Sequence, residues 1–343
     1  MNVTAAFAIS EASQIGEPRR AVLWLAQQLE FSEERAGRAA LVVSELGTNL
    51  VKHARGGEIL LRATSSCLGQ RDGIEVVAVD AGPGLADPAR SRTDGYSTSG
   101  SLGHGLGSIE RQSDVFDLYS HTNGTAIVSS IRRDNREPSS RTTSRYEVGA
   151  IQVAMQGQEV CGDGWDWRMR NGRLAVMVAD GLGHGMHAHE AAREAVGVFA
   201  RHHEQPPARV VEDVHAALRA TRGAAVAMLA VDLERGTASY AGLGNIASTI
   251  LAPAGRYHMV AHNGTAGHTA ARIQEFNYPV PAGSVIVSAS DGLRTHWDLA
   301  AYPGLLLRSA SVIAAILYRD FSRRRDDVTV VVVKDGLQPA RTP

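Results

Sequence analysis

Four aspartates in the second half of the chain stand where apolar runs begin or end. Asp163 lies in CGDGW, Asp180 closes RLAVMVAD, Asp291 closes SVIVSASD, and Asp326 with its neighbour Asp327 precedes VTVVVVK. One Asp before Gly is most often a turn former. Hard oxygen ligands from four separate strand ends suit Mg²⁺ or Mn²⁺, and such a set can hold two ions about 3.5 to 4 Å apart with a water between them, acidified toward neutral pH. His184, His187 and His189 lie close to Asp180, but for hard-metal chemistry a supporting role suits them better than ligation.

A second set of reactive groups lies in the first half. In LVVSELGTNLVKHA, Glu45, Asn49 and Lys52 fall at i, i+4 and i+7, so a helix puts an acid, an amide and a cation on one face. Such a stripe can also be simply the solvated side of an amphipathic helix. The run IEVVAVD then ends in Asp80, a carboxylate able to accept from an exocyclic amine, followed by AGPG, where Gly82 and Gly84 let backbone approach a flat ligand. SLGHGLGS supplies Gly103, Gly105 and Gly107 ahead of a helix, a cradle for phosphate at unpaired N–H groups.

These groups need a scaffold. Apolar spacing predicts helices over 18–29, 33–54 and 108–115 in the first half, with strands at 59–63, 74–79 and 125–131. The stretch 132–145, RRDNREPSSRTTSR, is almost free of apolar residues and reads as a connector. Beyond it strands dominate, at 146–154, 173–179, 225–232, 237–243, 248–252, 284–289 and 328–333, interrupted by helices at 189–203, 207–220 and 309–321. The two halves are built differently, so the LGHG that occurs in both SLGHGLGS and DGLGHGMHA is not an internal repeat. Domains are expected at 1–131 and 146–343, each with its own core.

In order, ELxxNxxKHA, DxGPG, GxGxG and the closing Gly124–Thr125 resemble the GHKL ATP-binding fold, an α/β sandwich, in its small RsbT-type anti-sigma-factor serine kinase branch. The resemblance implies that Asn49 holds a Mg²⁺ on the ATP phosphates, that Glu45 is the base acting on a substrate serine, and that Asp80 reads the adenine amine. Lys52, Gly82, Gly84, Gly103, Gly105, Gly107 and Thr125 would line the nucleotide. GDGW, ADGLGHG, SASDG and RDDVTVVVVK, with YAGLGNIA and HNGTAGH between them, resemble the metal-dependent (PPM) serine/threonine phosphatases of the SpoIIE and RsbX branch, an α/β/β/α sandwich. That resemblance implies a Mn²⁺ or Mg²⁺ pair. Asp180 bridges the ions, the Gly181 carbonyl adds a ligand, Asp163 serves one ion, and Asp291 and Asp326 serve the other. Asp326 is preferred over Asp327 because it opens the D-x-x-T pattern. The phosphate-clamping arginine and general-acid histidine of eukaryotic relatives do not map onto this sequence.

Composition fits such a protein. A net charge of -1 gives no cationic field for nucleic acid or anionic lipid. The two cysteines, Cys67 and Cys161, lack CxxC spacing and suggest neither disulfide nor zinc. No apolar run approaches the roughly 20 residues that span a bilayer, and MNVTAAFAIS is not a secretion signal, so a cytoplasmic protein is expected. The resemblances together imply a two-domain regulator that phosphorylates and dephosphorylates a STAS-domain antagonist or stressosome-type protein in a partner-switching pathway. The competing expectation is a phosphatase whose first domain is a non-catalytic ATP sensor or an anti-sigma adaptor. Oligomeric state stays open.

Overall fold

Strands of the first half carry apolar residues on both faces, and their packing explains it. A computed structural model describes residues 4–65, 69, 71–85, 105–133 and 145–336. The first half forms an antiparallel sheet of β1 (Ala5–Ile9), β2 (Gly57–Ser65), β3 (Arg71–Val79), β4 (Val115–His121) and β5 (Gly124–Arg132), in the order β1-β2-β3-β5-β4. One face is covered by α1 (Gly16–Gln28), α2 (Glu33–Asn49) and α3 (Gly105–Gln112). Ser32 starts α2 by accepting from the Arg35 amide, and Glu33 and Glu34 complement the positive end of that helix. Ile59, Leu61, Ile74, Val76 and Ala78 pack toward these helices with Val43 and Leu46. The alternate residues Leu60, Val77, Val79, Ala126 and Val128 belong to a different core.

The second half runs through β6 (Tyr146–Val153), β7 (Asp163–Arg170), β8 (Arg173–Gly181), α4 (Met186–His202), α5 (Pro207–Ala217), β9 (Ala224–Asp232), β10 (Thr237–Leu243), β11 (Ala247–Ala252) and β12 (Gly255–His258). It continues with the short β13 (Gly264–Thr265) and β14 (Thr269–Ala270), then β15 (Phe276–Pro279), β16 (Val285–Ala289), α6 (Ala310–Phe321) and β17 (Val328–Asp335). Two sheets, β15-β10-β9-β8-β7 and β12-β11-β16-β17-β6, stack on a common core that includes Trp165, Val178, Leu229, Tyr240, Ile286 and Val331. Helices α4 and α5 cover the first sheet and α6 the second.

Helix α6 is a shared layer. Every residue from Ala310 to Tyr318 is buried, as expected only for a helix enclosed on all sides. Its core unites Ile151, Val287, Val330 and Val332 of the second half with Leu60, Val77, Val79 and Val128 of the first. At about 1.5–3 kcal/mol per fully buried aliphatic side chain, Val312, Ile313, Ile316 and Leu317 outweigh any exposed ion pair at about 0–1 kcal/mol. Polar contacts set the register: Ser309 N donates to Asp117 Oδ2 (2.7 Å), Ser311 Oγ to Glu75 Oε2 (2.8 Å) and the Tyr318 hydroxyl to Glu58 Oε2 (2.7 Å). Glu75 is also paired with the buried Arg62 at 2.6 Å.

Each half has a core of its own, and the sheet face opposite α1–α3 closes in addition on α6. Strands β1, β4, β7 and β12–β15 lie outside the expected ranges, and the helix expected over 108–115 runs from Gly105 to Gln112. The helix expected to 54 is α-helical only to Asn49; Leu50–Ala54 form a wider π turn. Residues 134–144 of the expected connector lie outside the described residues. No described helix is long and apolar enough to cross a membrane.

Candidate metal and nucleotide sites

Antiparallel pairing of β7 with β8 sets Asp163 directly opposite Asp180. Strands β16 and β17 pair through Ala289 and Val330, so Asp291 and Asp326 leave the neighbouring sheet at one end. The two sheets are joined there: Ser290 Oγ donates to Asp163 Oδ2 (2.7 Å) and accepts from Thr329 N (2.9 Å). Gln152 Nε2 donates to the Asp163 carbonyl at 2.7 Å. Asp163 is 1% exposed, and its Oδ1 is buried without a partner among the described residues.

Electrostatics mark the same place. Burial pushes the Asp163 carboxyl above the usual carboxylate range. Burial raises Asp180 as well, and the charges of Asp163, Asp291, Asp326 and Asp327 raise it further. Asp326 is raised by burial and then by Asp291, with the hydrogen bond from the Asp327 amide opposing. Facing buried carboxylates are unfavourable unless a cation compensates them, and the orphaned Asp163 Oδ1 has the chemistry such an ion requires. Among the described residues no three His, Cys, Asp or Glu side chains enclose an ion by themselves.

The backbone around Asp180 is tightly constrained. A Cβ at Gly181 would fall 2.1 Å from the Ala188 carbonyl oxygen, while Gly183 (φ +88°) and Gly185 (φ +74°) adopt left-handed conformations ahead of α4. His189 Nδ1 lies 2.9 Å from the Cys161 carbonyl oxygen, and His187 and His184 are exposed. Asn245 was not singled out from the sequence, yet its Nδ2 donates to Asp291 Oδ2 at 2.9 Å. Nothing in sequence spacing connects two loops so far apart.

Adjacent Asp326 and Asp327 have different surroundings. Asp327, 3% exposed, accepts from Met155 N (2.8 Å) at Oδ1 and from Gly162 N (2.9 Å) at Oδ2. Asp326 is half-buried, and among the described residues its Oδ1 accepts only the neighbouring Asp327 amide. Stripping a partner from a buried amide costs about 1–3 kcal/mol, so Asp327→Ala is expected to lower folding stability by about 2–6 kcal/mol. Asp326→Asn should leave it nearly unchanged. Thermal unfolding of both variants checks this, and equal losses would be incompatible with the division of roles.

In the first half, Glu45 and Asn49 are half-buried on α2, and the exposed Lys52 lies in the π turn that follows Asn49. A Cβ at Gly105, the first residue of α3, would lie 3.3 Å from Asn49 Oδ1. Asp80 sits just past β3, where its Oδ1 accepts from Gly82 N (2.8 Å) and Thr125 N (3.2 Å) and its own N donates to Thr125 O (3.0 Å). Burial raises the Asp80 carboxyl, opposed by these two amides and by Arg319. Gly82 abuts the end of the π turn, since its Cβ would come within 2.9 Å of Ala54 Cα. The Asp80 turn and the Asn49 helix are thus brought together. Gly84 (φ +76°) follows in a left-handed conformation, and Thr125 Oγ1 is 2.9 Å from Ser120 Oγ. Gly107 is buried inside α3, and Gly103 lies outside the described residues. A cavity of about 250 Å³ lined by Arg145, Glu234, Arg235 and Asp335 contains none of these groups.

Comparison with known proteins follows the same division. The family described as histidine kinase-like ATPase domain matches residues 9–131, and the family described as stage II sporulation protein E (SpoIIE) matches residues 170–335. The serine/threonine-protein kinase RsbT of Bacillus subtilis (strain 168) is 34% identical over 96 residues, 28% of this chain and 71% of RsbT. The phosphoserine phosphatase RsbX of the same organism is 23% identical over 184 residues, 53% of this chain and 90% of RsbX. A crystal structure of RsbX in complex with magnesium superposes with a TM-score of 0.50 at 22% identity, over 55% of this chain and 94% of that one. A structure from work on the bacterial stressosome, a modular system adapted to control secondary messenger signalling, superposes with a TM-score of 0.52 at 29% identity, covering 55% of this chain and 99% of that one.

Proposed function

We propose, from a chain that belongs to the histidine kinase-like ATPase family over residues 9–131 and to the SpoIIE family over residues 170–335, that one protein both adds and removes phosphate on serine or threonine of a STAS-domain partner. The observation that carries the reading is the cluster of aspartates at the ends of β7, β8, β16 and β17, with Asp163 Oδ1 buried and without a partner among the described residues. A protein of this kind sets the phosphorylation level of a stressosome-type antagonist by the balance of its two halves.

For phosphate removal, Asp163, Asp180, Asp291, Asp326 and the Gly181 carbonyl would hold divalent cations. Such ions, when bound, neutralise phosphoryl charge and acidify water. The chain's own contribution is positioning. Ser290 fixes Asp163, Asn245 fixes Asp291, and Asp327 ties the Met155–Gly162 segment beneath the cluster. For phosphate addition, Asn49 would hold Mg²⁺ on ATP, Asp80 would accept from the adenine amine, and Glu45, one helical turn before Asn49, would take the proton of the acceptor hydroxyl. Phosphoryl transfer asks mainly for alignment and charge neutralisation.

Transfer of labelled phosphate from ATP to a purified STAS-domain protein, followed by its metal-dependent release, tests the reading. Release without transfer supports the second reading, a phosphatase whose first half senses ATP; the contact of α6 with the Asp80 turn favours it.

The two LGHG loops separate the activities. Gly105→Val drives a side chain into Asn49 and is expected to lose ATP binding. Gly185→Val forces a β-branched residue to φ +74° and toward Gln158 Oε1, 2.9 Å from the Cβ position, and is expected to lose phosphatase activity. Nucleotide titration and phosphate release on each folded variant check this, and loss of both functions in either one would refute independent sites.

A further inference from the structure

Helix α6 ends by sending a buried cation from the second half into the first. The Arg319 side chain is 4% exposed. Its Nε and Nη2 donate to Oδ1 and Oδ2 of Asp320, both at 2.7 Å, and the Tyr302 hydroxyl donates to Asp320 Oδ2 at 2.9 Å, so the guanidinium plane is held from behind. Its forward nitrogen, Nη1, donates to the backbone carbonyl of Asp80 at 3.0 Å. Thr125 already takes the Asp80 amide and one carboxylate oxygen. Arg319 takes the one remaining backbone polar group of that residue.

The approach is sterically specific. Gly124 has φ +123°, and a Cβ there would fall 1.9 Å from the Asp80 carbonyl oxygen and 2.8 Å from Arg319 Nη1. A side chain at 124 is excluded by the contact itself, in addition to the backbone angle.

We infer that Arg319 is a positioning residue for base recognition: the phosphatase half completes the nucleotide site of the kinase-like half by fixing the Asp80 peptide. This rests on the reading of Asp80 as the group that accepts from the adenine amine. Rotation of that peptide would swing the carboxylate off the amine. Guanine presents a carbonyl where adenine presents the amine, so a fixed carboxylate favours ATP over GTP and a displaced one discriminates less. A mere cohesive role is the wrong description, because the joint is already held by the apolar faces of α6 and by Ser309, Ser311 and Tyr318.

The test uses the full-length chain and fluorescent ATP and GTP analogues, with Tm recorded for every variant. Arg319→Met is expected to weaken ATP about tenfold, as for loss of one charge-assisted hydrogen bond, with a smaller change for GTP, so that the preference for ATP narrows. Arg319→Lys should recover part of it. Asp320→Asn, which keeps the guanidinium but loosens its support, should shift the preference in the same direction and serves if Arg319→Met does not fold. Arg324→Met removes a neighbouring interface contact, to Glu58 and Tyr318, and should leave both affinities unchanged. Unaltered ATP affinity and preference in Arg319→Met or Asp320→Asn, or an equal loss in Arg324→Met, would overturn the inference. Asp80→Asn separates the two layers: if it loses ATP while the Arg319 and Asp320 variants do not, only the positioning role falls. If Asp80→Asn binds ATP normally, the nucleotide reading falls with it.

Discussion

Asp180→Asn is expected to reduce metal-dependent release of phosphate from a phosphoserine protein by about a thousandfold or more, equivalent to about 4 kcal/mol of transition-state stabilisation. The volume of the side chain is conserved, so the fold should persist. Asp180 faces Asp163 across the β7–β8 pair and feels the charges of Asp163, Asp291, Asp326 and Asp327. The substitution removes one negative charge from this cluster. It should therefore raise, or leave unchanged, the Tm of the metal-free protein while abolishing the gain in Tm on adding Mg²⁺ or Mn²⁺. Phosphate release and thermal unfolding, each with and without EDTA, measure both effects. Wild-type activity that survives chelation would remove the metal from the mechanism, and an Asp180→Asn variant that retains activity would remove Asp180 from the site.

Glu45→Gln is expected to leave ATP affinity within about threefold of wild type and to slow phosphoryl transfer by about a hundred- to ten-thousandfold, the range associated with loss of a general base. The geometric basis is narrow but definite: Glu45 and Asn49 lie one turn apart on α2, both half-buried, and Gly105 approaches Asn49 from α3. The amide keeps the size and polarity of the side chain but cannot accept a proton. Nucleotide titration alongside single-turnover transfer to the STAS-domain protein separates binding from chemistry. Transfer at the wild-type rate would exclude Glu45 as the base, and parallel loss of binding would make it a nucleotide ligand instead.

Sequence alone determined both fold families and most of the elements. Apolar runs that stop at an Asp are strand ends in register with solvent, so the positions of Asp80, Asp180 and Asp291 could be placed from local pattern. The family resemblances, carried by short motifs in order, specified both folds. The π turn after Asn49 was not legible, because LVVSELGTNLVKHA fits an unbroken α-helix equally well and the wider turn appears where Ala54 meets Gly82. Nor were the roles of Asn245 and Asp327, since each depends on a partner in a distant loop.

One signal was present and unused. ASVIAAIL has no polar face beyond its serine, and β3 ends in the apolar run VVAV, patterns that require cover on both sides. Which surfaces provide that cover is a nonlocal question that no period in the sequence answers. The tertiary structure decided it by laying α6 between β6–β17 and β2–β3–β5. With that helix shared, Arg319 reaches the carbonyl of Asp80, 239 residues away along the chain. Residue types and spacing marked out two halves, and burial of a helix with no solvated face joined them.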